Sequence, residues 1–356
     1  MHLRQALQRE NNNFDCVRLL AAMAVIYGHA NALVPESQAQ SYELITVLIR
    51  TDYSGSLAVK LFFFLSGLVV SNSLLEKKSP LQFVLARIFR IWPAFLATLI
   101  IMALLAGPWL STLAWPQYFS QPATWAYIVD GARLNIQYQL PGVFSELRAQ
   151  AVNGSLWTIP YEVAAYAVLL ALFVLRVHVQ RWFFCLLVLA LCAASLLPED
   201  VWLGQSWINK EVLTLTSCFF IGSLAALFKD VIRVQWPPVL MCLGLFLAFR
   251  RAPWASYFFY LAIFGAAIYV STRSWMTSWQ LPADISFGVY LWGWPVQQAL
   301  VYGWPELNLQ THRLMAVIGA CILGALSWYL LERPAIAAGR AVYGWCSQRA
   351  ARLKKT

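Results

Sequence analysis

FDCVRLLAAMAVIYGHANALV, residues 14–34, decides the fold class. From Cys16 to Val34 the stretch is dominated by apolar side chains, broken chiefly by Arg18, His29 and Asn31. About 20 such residues, rising about 1.5 Å each, cross the hydrocarbon core of a bilayer as a helix. Nine more runs follow, near 56–75, 88–107, 155–175, 182–197, 211–228, 237–250, 253–271, 285–302 and 314–331. The pattern predicts an all-α integral membrane protein, one bundle of about ten transmembrane helices spanning residues 1–356. An even number of spans puts both termini on the same side. Arg4 and Arg9 ahead of the first run, with Ala30-Asn31-Ala32 at its end, also resemble a cleavable signal peptide. The nine runs that follow, and Arg18 and His29 inside the stretch, favour an uncleaved first helix.

Composition agrees. Of 356 residues, 60% are hydrophobic and 12% charged, with a mean hydropathy of +0.60. A soluble domain carries about 25% charged residues, so an ordinary cytosolic enzyme and a disordered chain are both excluded. The net charge is +10, from 26 Lys and Arg against 16 Asp and Glu. In a soluble protein that excess would suggest a polyanionic partner such as nucleic acid. In a multi-span chain it reports orientation, because Lys and Arg concentrate in cytoplasmic loops. With the N-terminus in the cytoplasm, 18 of the 26 basic residues face that side. The other eight are Arg50, Lys60, Arg133, Arg148, Lys210, Arg250, Arg251 and Arg313. No nucleic-acid partner is expected. The seven cysteines form no CxxC and mostly lie within apolar runs, so neither a disulfide framework nor a metal site is expected.

The segment 108–154 is the longest piece between spans, with Pro108, Pro116, Pro122 and Pro141. A connection of that length usually has a task, such as a lid or an acceptor site. The tail 333–356 carries Arg340, Arg349, Arg352, Lys354 and Lys355 and reads as an anchor on anionic lipid.

Ionisable groups inside spans are costly and usually functional. Arg18 and His29 are eleven residues apart, about 20° beyond three full turns, so they share a helix face about 16 Å apart along the axis. The structural alternative is a snorkelling Arg and a His bonded to a backbone carbonyl. Lys60 and Ser66-Gly67 mark the second span, where small residues permit close helix approach. Arg87 and Arg90, at i and i+3 near the start of the third span, point the same way and suit phosphate. Positive-inside placement explains such a pair equally well, and Pro93 fits a first turn. Glu162 follows Asn153-Gly154-Ser155-Leu156-Trp157-Thr158 at the outer entry to the fourth span. A carboxylate at that depth needs a partner. His29 lies at a similar depth, and a Glu holding one imidazole nitrogen leaves the other free as a base. Asp284-Ile285-Ser286 through Tyr290, Trp292, Gly293, Trp294 and Pro295 opens the ninth span, aromatic enough to line a pocket or to sit in an interfacial belt.

Taken in order, these segments resemble the membrane acyltransferase-3 family. The matching pieces are Phe14-Asp15…Arg18…His29, Phe63-Phe64-Leu65-Ser66-Gly67, Arg87-x-x-Arg90-x-x-Pro93, Ser155-Leu156-Trp157…Glu162, Ile285-Ser286…Tyr290-Leu291-Trp292 and Glu332-Arg333-Pro334. The resemblance covers nearly the whole chain and rests on the ordered set. It implies a multi-pass enzyme, placed in the bacterial inner membrane, that moves an acyl group from cytoplasmic acyl-CoA to a hydroxyl of a cell-surface or exported glycan. Acetyl-CoA is the implied co-substrate. The acceptor is a carbohydrate, free or lipid-linked, and no fused esterase-like domain is expected. Arg18 and His29 carry over from the first-helix motif, Arg87 and Arg90 from the paired arginines, and Glu162 from the acid of the fourth span. One departure stands out: many members have His where this chain has Gly293.

On that resemblance, Arg18, Arg87 and Arg90 bind the CoA phosphates. His29, oriented by Glu162, deprotonates the acceptor hydroxyl. Lys60, Ser66 and Trp157 are candidate donors to the oxyanion, and Tyr290 is a candidate substrate contact. An acyl-His intermediate is the other chemistry. Two rival classes use the same residues differently. A multi-pass transporter of a small solute or glycan precursor would run a path past the intramembrane His, Lys and Glu, but such proteins often carry internal repeats, and none is visible. A glycosyltransferase acting on a lipid-linked sugar would want acids in the first outer loop, where Glu36, Glu43 and Asp52 lie.

Overall fold

The apolar runs fold as helices in the computed structural model, which describes residues 1–35, 44–49, 52–198, 201 and 209–353. Glu36, Glu43, Arg50, Lys354 and Lys355 lie outside the described residues. No β-strand is present among those described, only two isolated bridges. The principal helices are α1 Phe14–Leu33, α2 Ser54–Lys77, α3 Pro80–Ile101, α4 Pro122–Ala132, α5 Ile159–Val174 and α6 Arg181–Ser195. They continue as α7 Lys210–Leu227, α8 Pro237–Ala248, α9 Ala255–Ser271, α10 Ser286–Gly303, α11 Leu309–Ser327 and α12 Arg333–Leu353.

Among the described residues six segments are long and apolar enough to cross a membrane: Phe14–Leu33, Ser54–Lys77, Pro80–Leu110, Gly154–Val174, Lys210–Leu227 and Leu309–Ala350. The expected runs at 182–197, 237–250 and 253–271 become the shorter apolar helices α6, α8 and α9. The run at 285–302 becomes α10, which stands outside the six and carries Gln297 and Gln298 in its middle.

Local chemistry moves several boundaries. Ser79 caps α3 by accepting from the Gln82 amide, and Pro80 sits in its first turn. The helix therefore starts earlier than its hydropathy suggests. Arg87 and Arg90 lie well inside it rather than at its start, and Pro93 is interior, where it removes a backbone donor. At the far end α3 runs through a π-helical turn, Met102–Ala106, to Leu110. The basic tail is also helical: α11 passes through a second π-turn, Trp328–Glu332, directly into α12.

The chain forms two compact units. The first comprises Met1–Ala24, Tyr42–Lys78 and Tyr161–Pro282. Its centre is the seam between α2 and α7. A Cβ on Gly67 would fall 1.9 Å from the Phe219 carbonyl oxygen, and one on Gly222 would fall 2.1 Å from that of Phe64. Only glycine lets the two backbones come this close. Phe64 stacks on Phe264 of α9 at 4.2 Å between centroids. The N-terminal residues are strapped to the connection after α7, with Leu3 N–H donating to Ile232 O at 2.8 Å and Arg4 N–H to Lys229 O at 3.0 Å. Asn13 donates to the Met276 and Trp279 carbonyls. These loops and the N-terminus thus share one end of the unit.

The second unit comprises Val25–Ser41, Ser79–Pro160 and Ala283–Thr356. Here α10 and α11 touch at Gly288 and Gly324, and α12 packs on α3 where a Cβ on Gly339 would meet Phe89 at 2.8 Å. The long connection 108–154 is ordered against α3. Tyr118 and Tyr127 are fully buried, and the Tyr118 hydroxyl donates to Ala103 O at 2.8 Å. Burial pushes that phenol up to about 12, so it stays a donor across the physiological range.

The glycine seam makes a direct prediction. Gly67→Ala must push α2 and α7 apart and should cost about 1–3 kcal/mol or more. Gly244→Ala on α8, where a Cβ meets nothing within 4 Å, should leave stability equal or slightly raised. Thermal melts of the two purified variants in detergent read the contrast. Equal melting temperatures would contradict the seam.

Candidate functional site

In the first unit two polar clusters surround the α2 motif. Lys60 is almost completely buried, and its ammonium donates to Ser56 Oγ at 2.5 Å and to Glu211 Oε1 at 2.8 Å. It also lies 3.1 Å from Asp52 Oδ2, and Tyr260 donates to the same Asp52 oxygen at 3.0 Å. All three donor positions of this ammonium are engaged, and a cation so buried needs such partners. Asp52, an acid the glycosyltransferase reading required, is thereby an ion-pair partner.

Two turns along α2, Ser66 meets the carboxylate of Glu162. The Ser66 hydroxyl lies 3.3 Å from Glu162 Oε1 and 2.6 Å from the Tyr166 hydroxyl, and Tyr166 also donates to Glu162. Glu162 and Tyr166 are one helical turn apart on α5, so the carboxylate is held by its own helix and by α2. Arg18 donates to Asp15 at 3.2 Å across the first turn of α1 and is about one-fifth exposed.

In the second unit His29 sits on α1 with its ring edge-on to Trp294 of α10, centroids 4.9 Å apart at 73°. Its buried Nδ1 has no hydrogen-bond partner among the described residues. A Cβ on Gly293 would come within 2.7 Å of Ile26 Cγ1. A side chain at 293 would therefore require Ile26 or α10 to shift.

Arg90 is met by two carboxylates from far along the chain, Asp284 at 2.6 Å and Glu332 at 2.7 Å. Glu332 is fully buried in the second π-turn and also accepts from Ser327 at 2.9 Å. The guanidinium lies over the Phe287 and Trp328 rings at 5.7 and 5.4 Å. Arg87 is half-buried one turn earlier on α3. Trp157 is half-buried in the 3-10 turn Gly154–Thr158. Tyr290 fixes that turn by donating to Ser155 O at 2.7 Å and pairing with Thr158 Oγ1 at 2.6 Å.

The structure thus joins Ser66 to Glu162, and it ties the Arg87–Arg90 segment to the segments at 284 and 332. The expected pairing of His29 with Glu162, and the grouping of Arg18 with Arg87 and Arg90, each have members in both units. Sequence reading missed Tyr166 and Trp294 as site residues. The i, i+4 spacing of Tyr166 from Glu162 was an available signal; the Trp294 contact depends on tertiary packing. A small apolar pocket in the first unit, lined in part by Leu74, Leu169, Phe173 and Phe184, contains none of the candidate residues.

Comparison with known proteins follows the same residues. A family profile described as an acyltransferase domain matches residues 11–333. A protein of Shigella phage Sf6 named "O-acetyl transferase" is 26% identical over 339 residues, covering 91% of this chain and 96% of its own length. "Nodulation protein 10" of Rhizobium leguminosarum bv. viciae is 25% identical over 365 aligned positions, covering 91% of this chain and 93% of its own. No solved structure matches.

The Arg90 clamp predicts unequal arginines. Arg90→Ala strands Glu332 as a buried unpaired charge and should cost about 3–5 kcal/mol. In a double-mutant cycle with Glu332→Ala the coupling should exceed about 1 kcal/mol. Arg87→Ala should leave folded protein in the membrane. Additive effects at 90 and 332, read by denaturation in detergent, would dissolve the clamp.

Proposed function

Because the chain belongs to the acyltransferase family, we propose that it is a membrane O-acetyltransferase. In this reading it takes acetyl from acetyl-CoA at the cytoplasmic face and esterifies a hydroxyl of an exported or surface carbohydrate. The activity named for the phage relative, which aligns with nearly the whole chain, supports the reaction type. The observation that carries the reading is the His29 imidazole, set in an apolar helix against Trp294 with a buried nitrogen that has no partner among the described residues. Such a nitrogen is costly to bury, and the cost is recovered when it receives a substrate proton.

The reaction proceeds in two movements. His29 takes the proton of the acceptor hydroxyl as its oxygen attacks the thioester carbonyl. The tetrahedral intermediate then collapses, the C–S bond breaks, and the CoA sulfur leaves and takes that proton. Glu162 is the second proposed catalytic residue, and its position is set by Tyr166 and Ser66. Trp157 is the proposed donor to the oxyanion. Lys60, with its ammonium engaged by two acids and Ser56, is assigned to holding α2 on α7. Arg18 and Arg87 meet the CoA phosphates by forked, charge-assisted bonds. Arg90, held between Asp284 and Glu332, positions α3 so that Arg87 is presented. Ten spans with both termini in the cytoplasm, in a bacterial inner membrane, complete the reading. The basic-residue count supports that orientation.

The test is acetyl-CoA-dependent acetylation by membranes at matched expression. His29→Ala should lose at least about 100-fold in turnover, the usual share of a general base. Glu162→Gln should lose activity while retaining acetyl-CoA binding, and Arg87→Ala should raise the KM for acetyl-CoA. Wild-type turnover in His29→Ala would falsify its role as the base.

A further inference from the structure

Beyond the groups used above, the second unit buries a cation that has no counter-charge among the described residues. Arg313 of α11 is 4% exposed. It stacks on the Tyr27 ring at 3.7 Å and donates to Asn31 Oδ1 at 3.3 Å and, at 3.5 Å, to Gln310 Oε1. Its Nε has no partner, and no carboxylate lies within ion-pair distance among the described residues. A second guanidinium arrives at the same place. Arg148, an exposed residue of the long connection before α5, donates to the Asn31 carbonyl at 3.2 Å and to that of Val34 at 3.4 Å, again with no acidic partner among the described residues. Two like charges brought to one asparagine repel each other. A buried charge normally has a partner.

Neutral polar groups gather in the same corner. Gln297 is fully buried, and neither its amide nitrogen nor its oxygen has a hydrogen-bond partner among the described residues. It lies on α10 between Gly293, which packs on Ile26, and Val301, which packs with Ala30, Leu33, Val34 and Leu309. Leu309 is one helical turn before Arg313, so Gln297 and Arg313 both face the C-terminal half of α1. The adjacent Gln298 spends its amide on the Ala149 and Ala151 carbonyls and keeps an unpartnered oxygen. His29 is two residues from Asn31 and touches Trp294. Each unpaired buried polar group costs about 1–3 kcal/mol, so several together mark a place where a ligand supplies the partners.

We propose that Arg313, Arg148 and Gln297 form a subsite for an anionic sugar, with the two guanidiniums holding its carboxylate or phosphate and Gln297 one of its hydroxyls. This rests on the acetyl-transfer reading and names the acceptor class: an acidic or phosphorylated glycan, delivered next to His29. Guanidinium forks suit both anions.

The test is equilibrium binding to the purified full chain in detergent, with methyl glucuronide, glucose 1-phosphate, inorganic phosphate and neutral methyl glucoside as probes. At least one charged sugar should bind about tenfold or more tightly than methyl glucoside. The winner separates a sugar carboxylate from a sugar phosphate, and inorganic phosphate winning alone would overturn the sugar subsite. Arg313→Gln should abolish the preference, and Arg313→Lys should keep only part of it. Gln297→Leu should weaken all three sugars about tenfold while its melting temperature stays level or rises, because it removes unpaired buried amide atoms. No preference for charge in the wild type, a preference surviving Arg313→Gln, or unchanged sugar binding in Gln297→Leu would overturn the subsite. Acetyl-CoA affinity and turnover on the same preparation separate the two readings. If the wild type neither binds nor turns over acetyl-CoA, the acetyl-transfer reading fails. If it does both yet ignores the anion, only the subsite fails.

Discussion

Arg90 carries its charge into the middle of an apolar helix, and two carboxylates nearly two hundred and more residues away in sequence meet it there. Desolvating three charges is expensive, and their attraction offsets it only when the geometry is good and the remaining lone pairs are satisfied. Ser327 and Ser286 do that for Glu332 and Asp284. The clamp therefore specifies which segments of the second unit must meet. It ties α3 to the start of α10 and to the π-turn that joins α11 to α12. With that end fixed, the Gly288–Gly324 contact brings α10 against α11. The same helix then delivers Tyr290 to the turn of Trp157, and Trp294 to His29.

The first unit is organised by the same physics with different residues. Its charged lock is Lys60 between Asp52 and Glu211, and its close backbone contact is Gly67 on Phe219. In both units a buried ion pair fixes register while glycines permit the approach that makes the pair possible. The groups left over from these locks are few. Glu162 is held by hydroxyls rather than by a cation. His29 keeps a nitrogen without a partner, and Arg313 keeps a charge without one among the described residues. Polar groups so exempted from structural duty are where ligand chemistry is expected.

Much of this was legible in the sequence because the bilayer is a simple solvent. Long apolar runs announced the helices, and the rare ionisable residues within them announced Arg18, His29, Lys60, Arg90 and Glu162. What the spacing of Arg87 and Arg90 cannot show is that Arg90 is clamped by Asp284 and Glu332, since those partners come from tertiary structure. Hydropathy alone also placed the start of α3 too late, because Ser79 and Pro80 set it by capping. The departure at Gly293 was visible, but the close approach of the Ile26 side chain to it was not. Gln297 and Gln298 were readable and overlooked: two adjacent amides inside a membrane helix are as costly as a lone charge is conspicuous.

In the proposed reaction acetyl enters from the cytoplasmic side and leaves on an acceptor held near His29. Sealed membrane vesicles of defined orientation test that route most directly. Radiolabelled acetyl-CoA is added outside either inside-out or right-side-out vesicles, and label in carbohydrate is measured. The account predicts labelling only when the donor meets the face that was cytoplasmic. Equal labelling from both faces, or labelling from the outer face alone, would contradict it.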